Sequence, residues 1–266
     1  MSDNQKNIKL VSSKNTKMLL PNALTIVGVC SGLSSIKFAL DQNYTMAIIA
    51  VAFAAILDSL DGRVARLIKG TSKVGKELDS LTDVVSFGVA PSFIMYFWTL
   101  NELGKIGWLL VLIYVVCCAL RLARFNLTTY EETENWKINF FEGVPSPAAA
   151  GLVLLPLIFE LSDIIKINNE PIISLILIFS TSILMVSKIP TYSLKRILIP
   201  RRLTVFLLFG IGIYFSFLFV YTFKTLFVTG VIYIIFIPIS IAHYKILSKR
   251  NLEKDIEQND TSEDVL

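Results

Sequence analysis

The stretch at residues 44–83 reads YTMAIIAVAFAAILDSLDGRVARLIKGTSKVGKELDSLTD. Its first part, residues 44–62, is an apolar run of the length that a membrane-spanning helix requires, about 20 residues. The stretch also carries four aspartates, Asp58, Asp61, Asp79 and Asp83. Ionised groups at a membrane boundary are costly unless they are paired or bound to a cation. This stretch therefore predicts a spanning helix that ends in a polar site.

The composition of the whole chain indicates an integral membrane protein. Of its 266 residues, 54% are hydrophobic and 17% are charged, whereas an ordinary soluble domain has about 45–50% and about 25%. Disordered chains contain few aromatic residues, but this chain has 18 Phe, 9 Tyr and 3 Trp. A soluble globule and a disordered chain are both excluded.

Eight apolar runs predict eight spanning helices in an all-α membrane protein. The runs lie at residues 19–40, 44–62, 84–101, 106–125, 144–162, 171–189, 203–222 and 226–246. The fifth run is the least regular, because Pro145, Pro147 and Pro156 interrupt it.

The basic residues predict the side of the membrane on which each loop lies. Of the 25 Lys and Arg residues, 21 fall in the two terminal tails and in alternate loops. Loops that stay in the cytoplasm carry this excess, so both termini and the charge-rich loops are predicted to be cytoplasmic. Residues 1–18 lack the apolar core of a secretory signal. They are interpreted as a cytoplasmic tail, and residues 247–266 as a second, polar one.

The spacing of the four aspartates places them in two pairs. Asp58 and Asp61 are three residues apart at the end of the second predicted helix, and Asp79 and Asp83 are four apart where the third begins. Each spacing puts its pair on one helix face. If the two helices form a hairpin, all four carboxylates converge.

Four converging carboxylates favour divalent cations. Like charges this close cannot all stay ionised alone, and oxygen ligands without His or Cys indicate Mg²⁺ or Mn²⁺ rather than zinc. Four carboxylates suit two ions about 3.5–4 Å apart, an arrangement typical of phosphoryl and pyrophosphate chemistry.

Neighbouring residues fit an anionic ligand. Gly62 and Gly75 remove side chains where a ligand or backbone must come close, and Arg66 offers a planar fork for phosphate oxygens. The lysines of the intervening loop fit the same anionic ligand, but the general excess of basic residues in cytoplasmic loops explains them equally well.

These residues form one continuous motif: Asp58-x2-Asp61-Gly62-x2-Ala65-Arg66-x8-Gly75-x3-Asp79-x3-Asp83. It resembles the complete signature of the CDP-alcohol phosphatidyltransferases, and all eight fixed positions match. A chance match at a given start is on the order of 10⁻¹⁰ from average residue usage.

The resemblance implies a six-helix catalytic bundle, usually dimeric, with a polar cavity that opens to the cytoplasm. The predicted divisions of the chain are a tail at 1–18, the catalytic domain at 19–200, two additional helices at 201–246 and a tail at 247–266. In the family the first and third aspartates contact both metals, which assigns the bridging role to Asp58 and Asp79. Asp61 then completes one metal site, and Asp83 serves the other while acting as general base.

The resemblance also implies a binding site for the CDP-linked lipid. The segment Pro21-Asn22-x-Leu24-Thr25 resembles the one that lines the nucleotide pocket in the family. The residues assigned to CDP-lipid binding are Asn22, Thr25, Gly62, Ala65, Arg66, Ser72 and Gly75.

Three further polar segments between apolar runs, called polar islands below, help to identify the acceptor alcohol. They lie at residues 119–126, 141–148 and 185–195, and they resemble those of the multi-spanning branch of the family that uses serine. In that branch an Arg-x-x-x-Phe unit holds the serine carboxylate, which implies a serine site at Arg121 and Phe125. Ser146, Ser187 and Lys188 also match residues of the branch.

A simpler interpretation of Arg121 and Arg124 is helix-end anchoring, since cations favour helix C-termini and extend to the membrane interface. By charge and position alone, this interpretation is slightly favoured.

The sequence thus predicts transfer of a phosphatidyl group from CDP-diacylglycerol to L-serine in the inner, cytoplasmic membrane. We expect two Mg²⁺ or Mn²⁺ ions, a homodimer and no nucleic-acid partner. The rivals are a sister enzyme that uses glycerol 3-phosphate or inositol phosphate and, from another class, a cation transporter. A membrane prenyltransferase fits less well, because Gly75 occupies the position where that family needs Asn.

Overall fold

A computed structural model of the protein describes residues 13–68, 73–128, 140–163, 170–193 and 201–263. The described part is almost entirely helical, and it contains one pair of short strands. Its elements are α1 Ser13–Leu40, α2 Tyr44–Leu67, α3 Lys73–Asp83, α4 Ala90–Trp98, α5 Lys105–Thr128, β1 Phe140–Glu142, α6 Ser146–Val153, α7 Leu155–Glu160, α8 Glu170–Val186, β2 Pro190–Tyr192, α9 Arg201–Val220 and α10 Thr222–Glu263. Ser72 and most of the N-terminal tail lie outside the described residues.

The expected all-α integral membrane protein is confirmed. Among the described residues, six helices are long and apolar enough to cross a membrane, and α8 is a shorter apolar helix. The six stretches are Leu20–Leu40, Tyr44–Leu67, Val74–Trp98, Lys105–Leu127, Leu203–Val220 and Thr222–Arg250. The count of eight spanning helices remains a prediction.

The third spanning helix begins well before residue 84, where its apolar run starts. It begins at Lys73 and runs through α3, a π-helical turn at Val84–Val89 and α4. Asp79 and Asp83 therefore lie within a helix rather than at its start. The apolar run missed this first part because it is an amphipathic segment whose polar face carries the two aspartates.

The fifth predicted helix is divided into two short ones. α6 ends at Val153 and α7 begins at Leu155, with Pro156 in its first turn. Proline has no backbone N–H to continue the preceding helical turn, which explains the break.

The two ends of the helical region extend beyond the predicted runs. α1 already begins at Ser13, and α10 continues to Glu263 through most of the predicted C-terminal tail. The end of α10 contains several Lys and Glu residues, which are good helix formers, so polarity alone does not make this segment irregular.

The chain forms two compact units, Met1–Ile94 and Met95–Leu266. In the first unit, α1 packs along α2 and against α3 and the π-helical turn. A Cβ atom added at Gly32 would lie 2.6 Å from Ser86 Oγ and 3.0 Å from Ser86 Cα. Small residues permit such close approach between membrane helices, so Gly32 lets α1 contact the turn that follows Asp83.

In the second unit, β1 pairs antiparallel with β2, and α10 packs on β2. The Phe140 ring stacks on Tyr192 with centroids 5.6 Å apart and meets the Tyr244 ring edge-on at 5.2 Å. The Tyr192 hydroxyl and His243 Nδ1 lie 3.0 Å apart, within hydrogen-bond distance. Aromatic contacts therefore join the C-terminal helix to two strands, of which β1 overlaps the second polar island and β2 lies within the third.

Candidate active site

Three of the four aspartates lie close together in the first unit. Asp58 and Asp61 lie near the C-terminal end of α2, and Asp79 lies on α3. One carboxylate oxygen from each of the three lies within 4.8 Å of the others. The expected convergence across the helix hairpin is thus present for these residues.

The fourth aspartate adjoins this cluster. The carboxyl groups of Asp83 and Asp58 lie within hydrogen-bond reach of each other, and Asp83 Oδ1 is buried. Asp83 is the last residue of α3, directly before the π-helical turn. Such turns are frequent at functional sites, and the apolar pattern of residues 84–89 gave no sign of one.

Thr25 connects α1 to the carboxylate cluster. Its Oγ1 lies 2.8 Å from Asp61 Oδ2 and 3.0 Å from Pro21 O, so the hydroxyl can donate to either oxygen. Thr25 and Asp61 are both only 5% exposed. Asn22, assigned to the same predicted pocket, is half-buried about one turn earlier on α1.

The motif residues after Asp61 lie on the last turns of α2. Gly62 and Arg66 are exposed and Ala65 is half-buried, and Arg66 Nε donates to Gly62 O at 3.0 Å. Within the described part of the chain, a Cβ atom added at Gly62 would meet nothing within 4 Å. The space above Gly62 is therefore open to a ligand. Gly75 is half-buried, one turn before Asp79 on α3.

The donor set of the cluster fits a hard divalent cation. Mg²⁺ holds oxygen ligands at about 2.0–2.1 Å, so oxygens within 4.8 Å of one another need only small side-chain movements to share one ion. The grouped donors are all carboxylates, as Mg²⁺ and Mn²⁺ prefer.

A second polar cluster lies in the other unit, around Arg121. This side chain is only 8% exposed, and its Nη1 donates to the hydroxyl of Ser146, the first residue of α6. Ser146 is fully buried. Two of the three polar islands therefore meet at a buried guanidinium.

The third island joins this cluster through Thr191. Thr191 Oγ1 donates to Gly143 O at 2.7 Å, and the Gly143 N–H donates to Ile189 O at 2.8 Å. Gly143 has a φ of +73°, and a Cβ atom there would lie 2.7 Å from Met185 O. Glycine is required at this position by both its backbone conformation and its close packing.

Arg124 and Arg121 occupy different environments. Arg124 donates to Val186 O at 2.8 Å and to Ser187 O at 3.2 Å, so it binds the carbonyl groups at the end of α8, as basic side chains commonly do. Arg124 thus contacts the end of α8 rather than the end of its own helix, whereas Arg121 is buried beside Ser146. Phe125 is 42% exposed and Lys188 is also exposed.

Tyr233 is a polar residue near the third island that no sequence motif indicated. It lies on α10, and together with Thr191 it lines a cavity of about 220 Å³. Because the membrane-spanning part of α10 carries no recognisable motif, sequence spacing gave no signal that could have found this residue.

Comparison with known proteins identifies the family of the segment that holds both clusters. A model of the CDP-alcohol phosphatidyltransferase family matches residues 18–191, which hold the four aspartates, Arg121 and Ser146. The match ends at β2, so α9 and α10 lie outside it.

Several curated relatives carry the name CDP-diacylglycerol–serine O-phosphatidyltransferase. The protein from Mycobacterium leprae is 40% identical over 183 residues, which cover 68% of this chain and 61% of that protein. The Helicobacter pylori protein is 38% identical over 76% of this chain and 83% of its own length, and the Bacillus subtilis protein is 38% identical over 66% and 92%. The chain thus spans less than two thirds of the mycobacterial relative.

Proposed function

The chain belongs to the CDP-alcohol phosphatidyltransferase family, and on this premise we propose that it transfers the phosphatidyl group of CDP-diacylglycerol to L-serine. The products are phosphatidylserine and CMP. The names of the relatives support serine as the acceptor. The observation that carries the proposal is the carboxylate cluster of Asp58, Asp61 and Asp79 with Asp83 beside it.

Asp58, Asp61, Asp79 and Asp83 are the residues that would hold two Mg²⁺ or Mn²⁺ ions, with Asp58 and Asp79 shared between them. When bound, such ions neutralise the pyrophosphate and the departing phosphate of CMP. The Thr25 hydroxyl fixes the orientation of Asp61, since it lies 2.8 Å from that carboxylate. Groups that hydrogen-bond to metal ligands in this way orient them and affect metal affinity.

Asp83 is the proposed general base. Its carboxylate takes the proton of the serine hydroxyl, and the serine oxygen forms a bond to the phosphorus attached to diacylglycerol. The bond from this phosphorus to the bridging oxygen breaks, and CMP leaves with its electron pair. General-base help of this kind contributes about 10²–10⁴-fold to a rate, and no covalent enzyme intermediate is needed.

The CDP group is proposed to bind over the end of α2. The open space above Gly62 and the exposed guanidinium of Arg66 suit a pyrophosphate, because arginine binds phosphate oxygens bidentately. Asn22 and Thr25 on α1, with Ala65, Ser72 and Gly75, complete the proposed pocket.

Arg121 is proposed to bind the carboxylate of serine. Arg121 is buried and donates to the Ser146 hydroxyl, and a planar guanidinium can bind a carboxylate through two parallel N–H donors. Phe125, which lies on the same helix as Arg121, is proposed to cover this contact.

We propose that the protein is a homodimer in the inner membrane and that its active site faces the cytoplasm. The proposed divisions are the catalytic membrane domain at 19–200, the additional helices at 201–246 and the tails at 1–18 and 247–266. The excess of basic residues in alternate loops supports this orientation.

Replacement of Arg121 by alanine tests the acceptor site. We expect Arg121→Ala to raise the serine KM by about tenfold or more, because a hydrogen-bonded charge pair with the carboxylate is lost. The KM for CDP-diacylglycerol should change by less than about twofold. Initial rates of CMP release at varied concentrations of each substrate measure both constants.

Arg121→Lys is the matched control, since it keeps the charge but loses the planar fork. We expect its serine KM to lie between those of wild type and Arg121→Ala. Equal increases in the two substrate KM values for Arg121→Ala would instead assign Arg121 a structural role.

A further inference from the structure

A groove lies between α9 and α10, outside the segment that matches the family. Its volume is about 580 Å³, within the range of about 300–1,000 Å³ that is usual for ligand pockets. Its apolar walls include Ile213 and Phe217 of α9 and Val228 and Ile232 of α10. The groove is therefore large enough for a ligand, and its walls suit an apolar one.

The hydroxyl groups along the groove are bonded within the helix pair. The hydroxyl oxygens of Tyr214 and Thr229 lie 3.1 Å apart. Thr229 donates to Thr225 O at 2.8 Å, and the Thr225 hydroxyl donates to Phe217 O at 3.1 Å. These threonine and tyrosine hydroxyls therefore do not require polar groups from a ligand.

A single cation lies at the end of the groove that is nearest the turn between the two helices. Lys224 is exposed, and its Nζ lies 5.9 Å from the centre of the Tyr221 ring. Lys224 is the only Lys, Arg, Asp or Glu between residues 203 and 244. Within the part of the chain that the structure describes, no carboxylate forms an ion pair with it. The groove thus combines apolar walls with one positive charge that lacks a counterion.

The groove has the length of a lipid acyl chain in one leaflet. From Lys224 to Ile232, α10 rises by about 12 Å at about 1.5 Å per residue. The hydrocarbon core of a bilayer is about 30 Å thick, so one leaflet contributes about 15 Å. Lys224 is the third residue of the apolar stretch Thr222–Arg250. It therefore lies at the membrane boundary, where lipid phosphates are found, while the groove runs from it toward the bilayer centre.

The charge at the groove selects the lipid headgroup. A lysine near the membrane surface favours anionic lipids. A zwitterionic headgroup would bring its own cationic amine beside Lys224, and the described groove lining has no carboxylate to receive that amine. A lipid with net negative charge is therefore the better complement.

We propose that the groove between α9 and α10 is a binding site for an anionic phospholipid. The lipid phosphate pairs with Lys224, and one acyl chain lies along the groove. This inference goes beyond the proposed function, because it gives a lipid-binding role to the two helices outside the family-matched segment. It does not depend on which reaction the protein catalyses.

Fluorescence quenching tests lipid binding at the groove itself. Phe217→Trp places an indole in the groove wall, and the whole chain is reconstituted in phosphatidylcholine vesicles in which a rising fraction of the lipid has brominated chains. Brominated phosphatidylglycerol is compared with brominated phosphatidylcholine, after subtraction of the quenching seen without the substitution. We expect phosphatidylglycerol to bind about fivefold more tightly, the preference that one lysine at a membrane surface provides.

Lys224→Gln in the Phe217→Trp background should reduce this preference about fivefold, to near equality. Lys224→Arg keeps the charge and should keep the preference. Lys105→Gln is the matched control, because Lys105 is also exposed at the start of a spanning helix but does not line the groove. We expect Lys105→Gln to leave the preference unchanged.

Gly210→Leu tests the groove as an acyl-chain site. Gly210 lines the groove, and a Cβ atom added there meets nothing within 4 Å among the described residues, so a leucine can fill the space. We expect this variant to lose the preference for phosphatidylglycerol. Gly212→Leu is its control, at an equally open glycine that does not line the groove, and it should keep the preference. The thermal unfolding midpoints of both variants should stay close to wild type.

Equal affinity for the two lipids in Phe217→Trp would overturn the inference, as would an unchanged preference in Lys224→Gln, since the groove would then contact lipid without selecting it. If neither brominated lipid quenched the introduced tryptophan, the groove would be covered by a second copy of the chain, and the inference would also fail. None of these measurements requires turnover, so a failure of the proposed reaction is detected separately, by CMP release.

Discussion

We expect Asp83→Asn to reduce turnover by about 10²–10⁴-fold, the usual contribution of a general base. An amide cannot accept the proton of the serine hydroxyl, but its carbonyl oxygen can still contact a cation. Affinity for CDP-diacylglycerol should therefore be largely kept. Turnover is measured by CMP release, and lipid affinity by the increase in thermal unfolding midpoint with CDP-diacylglycerol concentration.

Glu77→Gln is the matched control for this substitution. Glu77 lies on the same helix and is exposed, so it undergoes the same carboxylate-to-amide change away from the cluster. We expect wild-type turnover for Glu77→Gln. Normal turnover in Asp83→Asn would remove Asp83 as the base.

We expect Asp79→Ala to raise the Mn²⁺ concentration needed for half-maximal activity by about 100-fold or more. Loss of a residue that only orients a metal ligand costs about 10–100-fold in affinity, and Asp79 is proposed as a ligand shared by two ions. Direct titration of Mn²⁺, followed by the signal of the free ion in electron paramagnetic resonance, measures the same loss without requiring turnover.

Glu77→Ala provides the corresponding control, because it removes an exposed carboxylate from the same helix without changing the cluster. Its Mn²⁺ titration should match wild type. An unchanged Mn²⁺ requirement in Asp79→Ala would contradict the bridging role.

The pairing of the aspartates could be predicted because helical spacing is local. Intervals of three and four residues place each pair on one face, and the short connection between α2 and α3 brings the pairs together. The close approach of Asp58, Asp61 and Asp79 follows from these two facts. The same local reasoning linked the prolines to the irregular fifth helix.

Features that depend on tertiary contacts could not be predicted in this way. The π-helical turn after Asp83 lies in an uncharged, mostly apolar segment, where an extra residue per turn leaves no mark on the sequence pattern. The β1–β2 pair has only three residues in each strand, too few to give a periodic signal. Tyr233 is one of several polar groups in the mostly apolar spanning part of α10, and only the packing of α10 on β2 places it beside Thr191.

The identity of the acceptor is tested most directly by CMP release from the purified protein in detergent with CDP-diacylglycerol and Mn²⁺. Serine, glycerol 3-phosphate and inositol phosphate are offered separately at equal concentrations. We expect metal-dependent release with serine and none above background with the two phosphorylated alcohols. Release only with a phosphorylated alcohol would contradict serine as the acceptor, and absence of release with all three would contradict the proposed transfer reaction.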